Sequence, residues 1–223
     1  NVELCEEQPE LAKKINIEGT GNVVSFCKQY GCKLVFFSSD YIFDGENGPY
    51  SEADTARPVC YYGLTKLESE DLIHSVLGDF LIIRTTTVFG KEALGKNFCC
   101  RLINTLKSGQ SIRVPCDQIG SPTYAYNLAQ VVVELIEKEK KGIYNVVGSD
   151  LMDRYEFSLN VCEEFGLSKN LVLPVKTQEL KQKARRPLLA GLKIDKVAGE
   201  VETEMLGVKE SLRLFKRELG WKN

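Results

Sequence analysis

The sequence predicts an α/β fold with a mainly parallel sheet. Short, dense apolar runs at 33–37, 80–83 and 143–147 alternate with stretches of helical period. The runs have the density of strands covered on both faces. The first ends in Ser38-Ser39-Asp40, where polarity returns abruptly, and the second continues through Arg84-Thr85-Thr86-Thr87.

In chain order, residues 9–29 read as a helix. Pro9 suits its first turn, Leu11, Ile15, Val23 and Phe26 form its expected buried side, and Gly31 stops it. Residues 44–60, rich in Gly, Pro, Asp and Glu, read as a long loop of the kind that carries function. A helix is expected over 62–77, with Leu64, Leu67, Leu72, Ile73, Val76 and Leu77 as its buried side. Further helices are expected over 96–108, 124–139, 154–165 and 208–219, with a short strand at 112–114.

Composition narrows the function classes. The 223 residues are 43% apolar and 27% charged, with net charge −2, an ordinary globular balance. That charge gives no case for nucleic acid, and the pair Arg185-Arg186 is too short to make one. No apolar run approaches a membrane span, and no secretory signal is visible, so a cytoplasmic location is expected. The eight cysteines include no C-x-x-C pair and sit mostly among apolar residues; buried free thiols are expected. With a single histidine, His74, no metal site is expected.

The chemistry-bearing residues are Ser39, Tyr62 and Lys66. Tyr62 and Lys66 stand four apart, so a helix puts them on one face. A nearby ammonium lowers a phenol's pKa, which lets it exchange protons with a carbonyl or alcohol oxygen. A serine hydroxyl at the neighbouring strand end can polarise the same oxygen. Hydride must come from a nicotinamide cofactor, because no side chain supplies one. The spacing alone is weak: nine tyrosines and twenty lysines give about 0.8 chance matches. The context is what strengthens it, a tyrosine opening a helix after a long loop and Ser-Ser-Asp ending a buried strand.

These residues belong to longer motifs. SSDYIFDG at 38–45, PYSE at 49–52, YGLTKLE at 62–68, KNF at 96–98 and DQIGSPT at 117–123 resemble dTDP-4-dehydrorhamnose reductases and their relatives, in order over nearly the whole chain. The resemblance implies an extended short-chain dehydrogenase/reductase, with a Rossmann-type parallel sheet and a smaller C-terminal substrate domain. The implied division is 1–95 and 120–148 for the dinucleotide-binding part, and 96–119 and 149–223 for the substrate part. The implied reaction is NAD(P)H-dependent reduction of the 4-keto group of a deoxysugar nucleotide. Tyr62 would donate the proton, Lys66 would hold the nicotinamide ribose and tune Tyr62, and Ser39 would polarise the ketone. Ser38, Arg84, Thr85 and Thr86 would adjoin the cofactor, NADP or NAD with NADPH slightly preferred. Asp40, Tyr41, Asn97, Gln118 and Arg186 would meet the sugar nucleotide.

The chain departs from the family at its start. The strand, glycine-rich turn and helix that hold a cofactor pyrophosphate are absent, and Gly19-Thr20-Gly21 sits inside a helical pattern. The family's N-terminal strands are therefore expected to be missing. The strands at 33–37 and 80–84 should then expose unpaired edges and apolar faces, completed by a longer chain, a homodimer or a partner chain. This chain by itself is expected neither to bind cofactor well nor to turn over.

A second resemblance competes. Arg186-Pro187, Ala190-Gly191-Leu192 and KESL at 209–212 are similar to the non-catalytic regulatory beta subunit of methionine adenosyltransferase, which keeps much of the same motif set. An intact Tyr/Lys pair is compatible with either.

Overall fold

The computed structural model describes residues 1–221. Helix α1 (Val2–Glu7) precedes a continuous helical stretch made of α2 (Pro9–Ala12), a π-helical turn (Lys13–Glu18) and α3 (Gly19–Tyr30). Gly31 ends it in the left-handed conformation, as the sequence anticipates. Strand β1 (Leu34–Ser39) leads through the long loop to α4 (Tyr61–Val76), which returns to β2 (Phe80–Thr85). Next come β3 (Val88–Phe89), α5 (Phe98–Lys107), β4 (Ile112–Pro115), β5 (Ile119–Gly120) and β6 (Thr123–Tyr124). Helix α6 (Ala125–Glu137), β7 (Gly142–Asn145), β8 (Met152–Asp153), α7 (Arg154–Phe165), β9 (Val172–Val175), α8 (Asp195–Ala198) and α9 (Val208–Glu218) complete the order.

The main sheet is parallel, in the order β1-β2-β7, with Ser38 opposite Arg84 and Ser39 opposite Thr85. Its sides carry separate apolar clusters. Val24, Cys27, Ile73, Phe80 and Ile82 join α3 and α4 to the sheet, while Leu81, Ile83, Leu128, Val131 and Tyr144 join it to α6. Val197 and Met205, from the C-terminal third, also pack into the α6 cluster. A larger cluster lies outside the sheet. Phe89, Leu102, Phe157, Phe165, Leu212 and Phe215 bring α5, α7 and α9 together beside the parallel pair β4–β9.

Three expectations are corrected here. Leu11, Ile15, Val23 and Phe26 are not the buried side of their helix: Ile15 is 62% and Phe26 55% exposed, and Ala12, Val24 and Cys27 are buried instead. The helix packs through its smaller residues, and a side chain at Gly21 would already touch Leu72 of α4. The 33–37 run is not covered on both faces, because β1 is an edge strand and Phe37 is 46% exposed. The 80–84 strand, expected to share that exposure, is the central strand and is buried throughout. An exposed apolar surface therefore runs over α2, α3 and β1.

The buried face of α4 differs too. It is largely polar, built from Gly63, Thr65, Ser69, Glu70 and Ile73, while Leu64 faces outward. Polar groups can be buried there because each has a partner. Asn16, in the π-helical turn, donates from its amide to Thr65 Oγ1 at 3.0 Å, and its carbonyl accepts from Ser69 Oγ at 3.0 Å. Cys5, Cys27, Cys60, Cys99, Cys100 and Cys162 are buried free thiols; Cys32 is exposed and Cys116 half-buried. No helix among the described residues is long and apolar enough to cross a membrane.

Candidate active site

The parallel sheet puts the C-terminal ends of β1 and β2 side by side, and the candidate residues follow directly from them. Ser39 closes β1 and caps the short 3-10 turn Asp40–Ile42, accepting from Tyr41 N at 3.3 Å and donating to Asp40 Oδ1 at 3.0 Å. Helix α4 starts against that turn. A Cβ on Gly63 would lie 2.0 Å from the Tyr41 carbonyl oxygen, so only glycine permits this approach. The approach sets Tyr62 edge-on to Tyr41, ring centroids 5.7 Å apart. The α4 N-terminus is held by Glu6 of α1, which accepts from Tyr61 N at 3.0 Å.

Lys66 lies one turn beyond Tyr62. Its ammonium donates to the Phe37 carbonyl at 2.8 Å and sits 4.6 Å above the Phe36 ring, leaving two of its three N–H donors uncommitted. Burial lowers the Lys66 pKa, opposed by Glu70 and Cys5. Tyr62 is not activated in the expected direction. Burial pushes its phenol up to about 12, with Asp40 adding to the rise and the Ser39 hydroxyl opposing it. The physical reason is that Lys66 is turned to the β1 backbone while the nearest full charge felt by Tyr62 is the Asp40 carboxylate. Asp40 itself is raised to about 6, first by burial, against the hydroxyls of Thr86 and Ser39 and the charge of Arg154.

Asp40, Tyr41, Thr86 and Gln118 line one narrow cleft, together with Thr87 and Arg154. Thr87 adopts φ 43°, a left-handed conformation that a β-branched residue holds only under constraint. The hydroxyls of Ser38 and Thr85 are buried with no hydrogen-bond partner among the described residues. Unpaired buried hydroxyls at the end of a parallel sheet fit a polar group supplied by a ligand, and a nicotinamide and its ribose carry such groups. Gly19 and Gly21 lie inside α3 and form no phosphate-binding turn.

Three candidates already have partners within the chain. The first is Arg84. It is buried on β2, where its guanidinium meets Glu70 of α4 at 2.6, 3.1 and 3.2 Å and the Glu52 carbonyl at 3.3 Å. Asn97 lies outside the cleft: its carbonyl oxygen caps α5 by accepting from Cys100 N at 3.0 Å, and its amide donates to Gly90 O and Glu92. Arg186 is near the site, 5.8 Å from the Tyr41 ring, but its guanidinium is held by Glu3 of α1 at 2.6 Å. Sequence reasoning missed Arg154 and Gly63. Gly63 sits within the YGLTK motif and could have been read as a close-approach glycine; Arg154 carried no motif.

The chain is similar to several known proteins. The chain is 37% identical over 188 residues to the spore coat polysaccharide biosynthesis protein SpsK of Bacillus subtilis, covering 84% of this chain and 65% of that protein. It is 29% identical over 231 residues to the methionine adenosyltransferase 2 subunit beta of Rattus norvegicus, covering 99% of this chain and 69% of that protein. The chain thus spans about two thirds of the length of these relatives. Among solved structures, dTDP-4-dehydrorhamnose reductase from Bacillus anthracis in complex with NADP superposes with a TM-score of 0.92 at 30% identity, over 98% of this chain and 77% of that one. The fold is thus the mixed α/β, Rossmann-like architecture of those reductases. The model of the RmlD substrate binding domain matches residues 1–219, and the chain belongs to that family.

Proposed function

We propose that this chain carries the catalytic and substrate-binding part of an NAD(P)H-dependent oxidoreductase that reduces the 4-keto group of a deoxysugar nucleotide such as dTDP-4-dehydrorhamnose. The observation that carries the reading is the convergence of Ser39, Tyr62 and Lys66 at the C-terminal ends of β1 and β2, with the unpartnered hydroxyls of Ser38 and Thr85. The bound nicotinamide would supply hydride to the sugar's carbonyl carbon.

The chain's own residues do the rest. Tyr62, with its phenol at about 12, is protonated at neutral pH and so able to give its proton to the carbonyl oxygen as that oxygen gains charge. Ser39 Oγ polarises the same oxygen. The free donors of Lys66, with the Ser38 and Thr85 hydroxyls, hold the cofactor's ribose and amide. Asp40, Tyr41, Thr86 and Gln118 orient the sugar. The domain division implied by the sequence is retained in this reading, with α8 and its flanks packing on the dinucleotide part through Val197 and Met205.

The test is NADPH oxidation on addition of dTDP-4-dehydrorhamnose, with the product required to have gained one hydride and one proton. The competing reading is a regulatory subunit. It is favoured by the 99% coverage of this chain in the match to the methionine adenosyltransferase beta subunit. Recovery of a methionine adenosyltransferase by the tagged chain, with no turnover of any 4-ketosugar nucleotide, would select it.

A further inference from the structure

Two arginines flank Tyr41, and they differ in what they already hold. Arg186 is bound to Glu3 at 2.6 Å and to Gln182 at 3.3 Å. Arg154, the first residue of α7, has no such partner: among the described residues the arginines in ion pairs are Arg84, Arg113 and Arg186. Arg154 is the one cation among the described residues lining the cleft, and its charge reaches both Asp40 and Tyr41. Its guanidinium lies over the Phe98 ring at 5.3 Å, which fixes the plane and leaves the N–H edges open. The adjacent Asp153 carboxylate caps α7, accepting from Glu156 N at 2.8 Å.

A half-buried cation with no direct ion pair among the described residues, lining this cleft, is poised for an anion from the ligand. We propose that Arg154 binds a phosphate of the substrate's nucleoside diphosphate, and that Arg186, although closer to the family's motif, is a structural tie to α1. This rests on the sugar-nucleotide reading above. The planar fork of the guanidinium matches two phosphate oxygens with two parallel hydrogen bonds, a geometry that lysine cannot copy. Tyr62 and Arg154 both lie near Tyr41, so a sugar nucleotide spanning them would present its ketone to one and its diphosphate to the other.

The experiment is calorimetric titration of the full chain with dTDP, and with thymidine as the uncharged control. Arg154→Gln should weaken dTDP roughly 10- to 100-fold and leave thymidine unchanged. Arg154→Lys should recover only part of the affinity, and Arg186→Gln should leave dTDP affinity within about threefold. Equal dTDP affinity in the parent and Arg154→Gln would overturn the proposal, as would failure of the parent to bind dTDP, or a larger loss in Arg186→Gln. The reductase reading fails separately: Arg154-dependent dTDP binding without any NADPH oxidation removes the reductase and leaves this site standing.

Discussion

Replacing Glu70 with alanine should destabilise the chain more than any surface change. Arg84 and Glu70 are 4% and 3% exposed, and their groups meet at 2.6, 3.1 and 3.2 Å. Removing the carboxylate strands a guanidinium between β2 and α4 with one remaining bond, to the Glu52 carbonyl. An uncompensated buried charge of this kind costs about 3–5 kcal/mol. Replacing both partners, Arg84→Met with Glu70→Leu, removes the charge and its desolvation together, and should cost about 1 kcal/mol or less. Urea denaturation of the parent, Glu70→Leu, Arg84→Met and the double variant closes the cycle, and the double variant should be more stable than either single. A loss under 1 kcal/mol for Glu70→Ala would refute the assignment of Arg84 as a tie between sheet and helix. So would an Arg84→Met variant that keeps full stability and loses only NADPH affinity.

Four further outcomes follow from the same geometry. Asp40, raised from 3.8 to about 6 by burial, contributes stability that is complete below pH 3.8 and is lost as pH rises through about 6. Asp40→Asn should therefore be more stable than the parent by roughly 3 kcal/mol at pH 7.5 and show no such gain near pH 4 in the same urea titration. Gly63→Ala should lower both the thermal midpoint and the activity, because its Cβ would meet the Tyr41 carbonyl; a fully stable, active variant would contradict the close packing. Asn97→Ala should cost about 1 kcal/mol as a lost helix cap, with sugar-nucleotide KM unchanged, and a raised KM would return it to the binding site. Phe26→Lys, on the exposed apolar surface of α3, should reduce self-association in sedimentation velocity without lowering the thermal midpoint; unfolding of this variant would mean that the face is packed.

The alternation of strand and helix, the helix stop at Gly31, and the placement of Ser39 beside Tyr62 were legible because each depends on local period or motif. The outward face of α2 and α3 was not. The stretch has two apolar faces, and the one with larger residues is the natural choice for the core, yet contact with α4 leaves room only for Ala12, Gly21, Val24 and Cys27. The tie of Arg84 to Glu70 was not legible because the two stand 14 residues apart and are brought opposite only by the fold. The Tyr62 phenol was expected to be lowered by Lys66, but a four-residue spacing does not say that the ammonium turns to the Phe37 carbonyl. Arg154 was invisible for a related reason: what marks it is the absence of a direct ion pair among the described residues, which only three dimensions reveal.

The claim on which the account depends is that Tyr62 delivers the proton at this site. NADPH oxidation with dTDP-4-dehydrorhamnose, compared between the parent and Tyr62→Phe, tests it most directly. The account predicts a loss of kcat of about 10²–10⁴-fold with the thermal midpoint preserved, since phenylalanine keeps the ring that packs edge-on to Tyr41. Equal rates for the two proteins would contradict it.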